Sequence, residues 1–109
     1  MLLGIVRGTV VATRKDPGLV GLRFLVVEEV DSALHPNGRF VVAADAVGAG
    51  SGELVLFASG SSARLTEVTK DRPVDAVLIG IVDQVEAEGA IVFDKSPGVA
   101  AKGNASSRP

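Results

Sequence analysis

The chain has 109 residues, eleven basic and thirteen acidic side chains, one His, and no Cys, Trp or Tyr. That length suits one small domain and argues against a two-domain enzyme. Without Cys there is no disulfide framework, thiolate zinc site or Cys nucleophile, so stability falls to packing. A formal charge of −2 gives no broad positive field for nucleic acid or anionic lipid.

Hydrophobic residues make up 47% of the chain against 22% charged, enough for a core and too little charge for disorder. The longest apolar run, Ala76 to Val82, is seven residues long. A membrane helix needs roughly 18 to 20, so no membrane partner is expected. The opening residues lack the basic stretch, apolar run and cleavage site of a secretory signal. The expectation is a mature chain that starts at Met1 and stays in the cytoplasm.

Eighteen Val, four Ile and four Thr make 26 β-branched residues, whose stiff χ1 suits a pleated surface. The fold expected is all-β, a small closed barrel or sandwich. A first strand over Leu2–Thr13 places Leu3, Ile5, Thr9 and Val11 on one face and Leu2, Val6, Val10 and Ala12 on the other. Gly4 and Gly8 inside it suggest sharp coiling at a barrel corner. Asp16-Pro17-Gly18 supplies a turn into a second strand, Leu22–Asp31, and the pair forms a meander. Ser32–Gly38, with His35-Pro36-Asn37-Gly38, reads as a turn before a third strand, Arg39–Ala44. Gly48-Ala49-Gly50-Ser51-Gly52 forms an irregular loop before a fourth strand, Glu53–Ala58. Ser59–Thr69 holds the single expected helical turn, with Ser61 or Ser62 as its cap. Pro73–Glu86 reads as a central strand, with a hairpin at Glu88-Gly89 into Ile91–Phe93.

From Ser96 to Pro109 the composition turns to small and polar residues without an acid, a flexible tail. Residues 1 to 95 then carry nine bases and thirteen acids, a formal charge of −4. Several strands are apolar on both faces, Leu22, Phe24 and Val26 against Leu25 and Val27. One small barrel has one interior, so part of the outer face is expected to meet another chain, unless these residues are ordinary surface.

No motif builds a catalytic or metal site. The Gly48–Gly52 loop is followed by a strand where a phosphate cradle needs a helix, so it reads as a structural turn. His35 has no second His or Cys to complete a metal shell or triad. Ser51, Ser59, Ser61 and Ser62 lack a base and the strained elbow of a nucleophile. Asp31, Asp45, Asp75, Asp83 and Asp94 fall at strand ends, where a carboxylate commonly accepts turn N–H groups. Four Phe in apolar runs give neither aromatic platforms nor a basic groove for single-stranded nucleic acid. No cofactor and no metal are expected.

Six segments occur in an order that resembles a known family. They are Arg7-Gly8-Thr9-Val10-Val11, Phe24-Leu25-Val26-Val27, Ala43-Ala44-Asp45-Ala46-Val47-Gly48-Ala49-Gly50, Gly60-Ser61-Ser62-Ala63-Arg64, Pro73-Val74-Asp75-Ala76 and Ile79-Gly80-Ile81-Val82-Asp83. Together with Phe93-Asp94-Lys95 they look like bacterial microcompartment vertex proteins of the EutN/CcmL type, over about residues 1 to 95. The resemblance implies a five-stranded barrel similar to the oligonucleotide-binding fold, assembled as a homopentamer at the fivefold positions of a shell. Its partners would be hexameric shell proteins, and its role structural, not enzymatic. It also implies that Ser61 and Ser62 lie near an axial opening and that Arg64 contacts the subunit boundary. Asp45, Gly48 and Gly50 would shape the loop beside it. Gly50→Val would disturb assembly if Gly50 takes positive φ. The rival reading is a small barrel that binds a ligand or assembly partner through the Gly48–Gly52 loop.

Overall fold

The computed structural model describes residues 1 to 95, so the tail expected over 96–109 lies outside the described residues. Its strands are β1 (Leu2–Val10), β2 (Phe24–Val30), β3 (Pro36–Asp45), β4 (Leu54–Ser59), β5 (Ala76–Ile81), β6 (Gln84–Ala87) and β7 (Ala90–Asp94). The first five close into a barrel in the order β1-β2-β3-β5-β4, and β6 and β7 form a separate two-stranded sheet. Every barrel pairing is antiparallel except β3 with β5, which meet in parallel at Ala44↔Val77 and Asp45↔Leu78.

Alternation along the strands decides what fills the barrel. Val6, Leu25, Val27, Ala43, Val55, Phe57 and Leu78 point inward and are almost wholly buried. Phe57 is the largest of these, and its burial contributes about 2–3 kcal/mol. Their sequence neighbours Ala44 and Val77 face outward, yet they are buried too, in a second cluster with Ala63 and the flanking Leu22, Phe24, Ala58, Val74 and Ile79. The segment from Gly60 to Asp75 therefore covers part of the barrel's outside. Buried Thr69 anchors it by donating to the Ala63 carbonyl at 2.6 Å, and Arg72 Nη1 donates to the Val20 carbonyl at 2.7 Å. Part of the two-sided apolar pattern is thus satisfied within the chain. The rest is not, since Phe40 and Val42 remain 57% and 51% exposed.

Gly4 and Gly8 serve different purposes. A Cβ on Gly4 would lie 2.4 Å from Val27 Cγ1 and 3.1 Å from Phe57 Cε1, so the bare backbone makes room for the core. Gly8 has nothing within 4 Å of that position and follows a β-bulge between Val6 and Gly8. The bulge inserts one residue and moves Val10 onto the face of Ile5, so the alternation expected through Val11 fails beyond Val6.

Other boundaries also differ. β1 stops at Val10, and β2 starts at Phe24. The turn expected through Gly38 ends at His35, where the Asp31 N–H donates to the His35 carbonyl. β3 begins at Pro36, and Gly38 keeps its positive φ of 84° inside the strand, with a register shift opposite Glu28/Val30. The run from Pro73 to Glu86 is not one strand, because it leaves the barrel after Ile81 and re-pairs as β6 with β7. The hairpin at Glu88-Gly89 forms with both residues at positive φ, 52° and 80°, as a primed two-residue turn requires. Among the described residues two 3-10 turns exist where one helical turn was expected, at Pro17–Leu19 and at Gly60–Arg64. The second is preceded by Ser59 without a side-chain cap, so neither Ser61 nor Ser62 caps it.

Gly4→Ala should destabilise the protein by about 1–3 kcal/mol through overpacking. Gly8→Ala should change it by less than about 1 kcal/mol. Urea midpoints of the two variants check the contrast.

Candidate functional site

The loop from Asp45 to Glu53 is ordered by two carboxylates of its own. Asp45 Oδ1 accepts N–H bonds from Val47, Gly48 and Ala49 at 3.0, 2.9 and 3.3 Å, and Glu53 Oε1 accepts from Gly50 at 2.6 Å. Successive N–H groups of this kind form a concavity that binds anions. Here the chain's own carboxylates fill it. Those four donors are therefore unavailable to a phosphate.

Arg23 joins the arrangement from the end of the preceding loop. Its Nη1 donates to Asp45 Oδ2 at 2.7 Å and to the Ala49 carbonyl at 2.8 Å. The Arg23 side chain is half-exposed while that of Asp45 is only 3% exposed. Burial is the largest single influence on the Asp45 carboxyl and pushes its pKa up. The bonds from Val47, Ala49 and Gly48, together with Arg23, outweigh it and hold the group below the ordinary value of 3.8. Asp31 is lowered chiefly by the His35 N–H, against desolvation, with help from the Ala33 N–H and the His35 ring. It caps a solvated turn, where His35 Nδ1 stands 3.7 Å from its carboxylate.

Gly48 and Gly52 take positive φ, 77° and 87°, whereas Gly50 does not. The condition attached to Gly50→Val is therefore not met. A Cβ at Gly50 would touch only Glu53 Oε1, at 3.6 Å. Gly48 and Gly52 are the positions where left-handed backbone demands glycine.

Ser61, Ser62 and Arg64 lie on the second 3-10 turn, all exposed. Ser62 Oγ donates to the Ser59 carbonyl at 2.9 Å. Among the described residues, Ser61 Oγ and the Arg64 guanidinium make no hydrogen bond or ion pair. With Gly60, Pro73, Val74 and Asp75 they line an open concavity of about 540 Å³. Loop and turn share no hydrogen bond or ion pair. They are connected by packing alone, since Ala46 of the loop and Ala63 of the turn belong to one cluster.

Sequence reasoning missed Arg23 and Glu53. Glu53 was legible as an acid closing a glycine loop. Arg23 was not, because it sits 22 residues from Asp45 and only the β2–β3 register brings them together.

Because the folded Asp45 carboxyl titrates below its unfolded value, its contribution is complete above about pH 4 and is lost as pH falls through the folded pKa. Asp45→Asn should lower stability by about 2 kcal/mol at pH 7. It should also flatten the acid limb of a plot of urea midpoint against pH.

A family model described as ethanolamine utilisation protein EutN/carboxysome matches residues 1–83. The chain is 47% identical over 95 residues to the carboxysome shell vertex protein CcmL of Gloeobacter violaceus, covering 87% of this chain and 95% of that relative. It is 46% identical over 95 residues to the bacterial microcompartment shell vertex protein EutN of Salmonella typhimurium, covering 87% and 96%. The solved structure of Gloeobacter violaceus CcmL superposes with a TM-score of 0.83, over 87% of this chain and 98% of that one. The pentameric microcompartment shell protein GrpN of Rhodospirillum rubrum superposes with a TM-score of 0.73 at 46% identity, over 80% and 100%. With three-quarters of its length under the family model and near-complete coverage of these relatives, the chain belongs to the EutN/CcmL family of microcompartment shell vertex proteins.

Proposed function

We propose that the protein is a structural pentamer that caps the fivefold vertices of a bacterial microcompartment shell and closes it. The observation that carries this reading is the likeness to GrpN, a pentameric shell protein matched over the whole of its chain at 46% identity. The physical argument agrees with it. A shell tiled by hexagonal units stays flat unless fivefold units introduce curvature, and a ring of five closes through heterologous contacts between unlike patches. Such patches require apolar surface outside the barrel, and Phe40, Val42, Leu65 and Ile91 supply it.

In this reading the partners are further copies of the chain and, around the rim, hexameric shell proteins in the bacterial cytoplasm. The mechanism is complementarity of shape and edge, and no residue performs chemistry. Ser61 is the hydroxyl free to face an axial opening, since Ser62 is turned back onto its own backbone. Arg64, without a hydrogen bond or ion pair among the described residues, fixes the subunit boundary, for which a planar guanidinium suits carboxylate or carbonyl acceptors.

Light scattering on a sizing column should give about 55 kDa for five chains of 11.1 kDa, unchanged on tenfold dilution. A monomer or dimer would overturn the reading. Arg64→Ala should make that mass fall on dilution while circular dichroism of the subunit stays unaltered, because the guanidinium makes no hydrogen bond or ion pair among the described residues.

A further inference from the structure

The segment His35-Pro36-Asn37-Gly38 brings β3 into the barrel, and its Asn-Gly pair carries chemistry that the shell role does not use. Asparagine is a thermolabile residue. Its side chain cyclises when the backbone nitrogen of the following residue attacks the side-chain carbonyl. Glycine is the most permissive follower, because it has no Cβ to crowd that nitrogen.

The fold leaves this pair outside the sheet ladder. Val30 pairs with Pro36 and Glu28 with Phe40, so Glu29 alone stands against Asn37, Gly38 and Arg39. Such a bulge leaves residues unpaired, and the other flank of β3 pairs with β5 only at Ala44 and Asp45. Among the described residues Gly38 therefore has a ladder partner on neither side. It keeps a positive φ, and the place of its missing Cβ is open space. Asn37 and Gly38 are both exposed.

Two hydrogen bonds fix the Asn37 side chain. Its Oδ1 accepts from the Arg39 N–H at 3.0 Å, and its Nδ2 donates to Glu29 Oε2 at 2.8 Å. The first bond closes a turn-like ring that contains the Gly38 nitrogen, so the carbonyl carbon and its nucleophile are held in one short cycle. It also polarises the carbonyl and supplies a donor to the oxyanion that forms on attack. The second bond directs the departing nitrogen to the neighbouring strand.

We infer that Asn37 is a site of spontaneous covalent modification in the folded protein. The Gly38 nitrogen bonds to Asn37 Cγ, the Cγ–Nδ2 bond breaks, and the proton lost by the Gly38 amide leaves with Nδ2 as ammonia. Water then opens the succinimide at either carbonyl and gives an aspartyl or an isoaspartyl residue. Both products exchange the donor that bridges β2 and β3 for a carboxylate beside Glu29, so an attraction at the bulge becomes a repulsion. The isoaspartyl form also adds one atom to the main chain at the head of β3.

The full chain, kept native in mildly alkaline buffer and followed by peptide mapping, should gain one dalton at Asn37. Isoaspartate should be detected there by methyltransferase labelling. The rate should lie within tenfold of that for the same chain unfolded in urea. A native rate more than tenfold below the unfolded one would show that the bulge protects the residue, and would overturn the inference. Asn37→Asp, which mimics one product, should lower the urea midpoint, and the drop should shrink in a Glu29→Gln background. An equal drop in both backgrounds would overturn the clash with Glu29.

Discussion

The barrel closes along a parallel seam only two residue pairs long, Ala44↔Val77 and Asp45↔Leu78, and the rest of the structure depends on it. Without that seam the five strands would form an open sheet with two free edges, and Phe57 would lose the wall that encloses it. Leu78 points into the core, and Val77 points out beneath Ala63, so each side of the seam is backed by a hydrophobic cluster. Asp45 stands at the end of the seam. Its N–H bonds the Arg23 carbonyl, and its carboxylate orders the loop that carries the chain across to β4. One residue therefore ends a strand, closes the sheet and sets the next connection.

Such economy leaves the outer surface as the variable part. The Gly60–Asp75 segment occupies one portion of it, tied down by Thr69 and Arg72, and in doing so presents the Ser61–Arg64 turn to solvent. What remains uncovered includes Val10 at the end of β1, Phe40 and Val42 on β3, Leu65 and Val68 on the Gly60–Asp75 segment, and Ile91 and Val92 on the hairpin.

Much of this was legible in the chain, for reasons that differ by element. The β-branched run Phe24-Leu25-Val26-Val27 fixes a strand by local preference and alternation, and Glu88-Gly89 fixes a hairpin because both positions need left-handed backbone. The ordered motifs around Asp45, Gly60 and Pro73 carried the family. Illegible were features settled by contacts distant in sequence. The bulge at Gly8 and the strand through Pro36 to Gly38 depend on what β2 offers opposite them. The break after Ile81 reflects where β4 ends its pairing, not any weakness in a run that stays apolar through Val82. At the loop, Asp45 was readable as an acceptor of turn N–H groups. The partner Arg23 and the ordinary φ of Gly50 were not, since neither leaves a local signature.

The filled concavity of the Asp45 loop has a consequence for a protein that works among crowded solutes. An anion-binding loop that relies on a dissolved phosphate or sulfate orders and disorders with the concentration of that ion. Here the anion is tethered two to four residues from the amides it satisfies, and its effective concentration exceeds that of any millimolar metabolite. The shape of this connection is therefore independent of the ionic composition on either side of a shell wall.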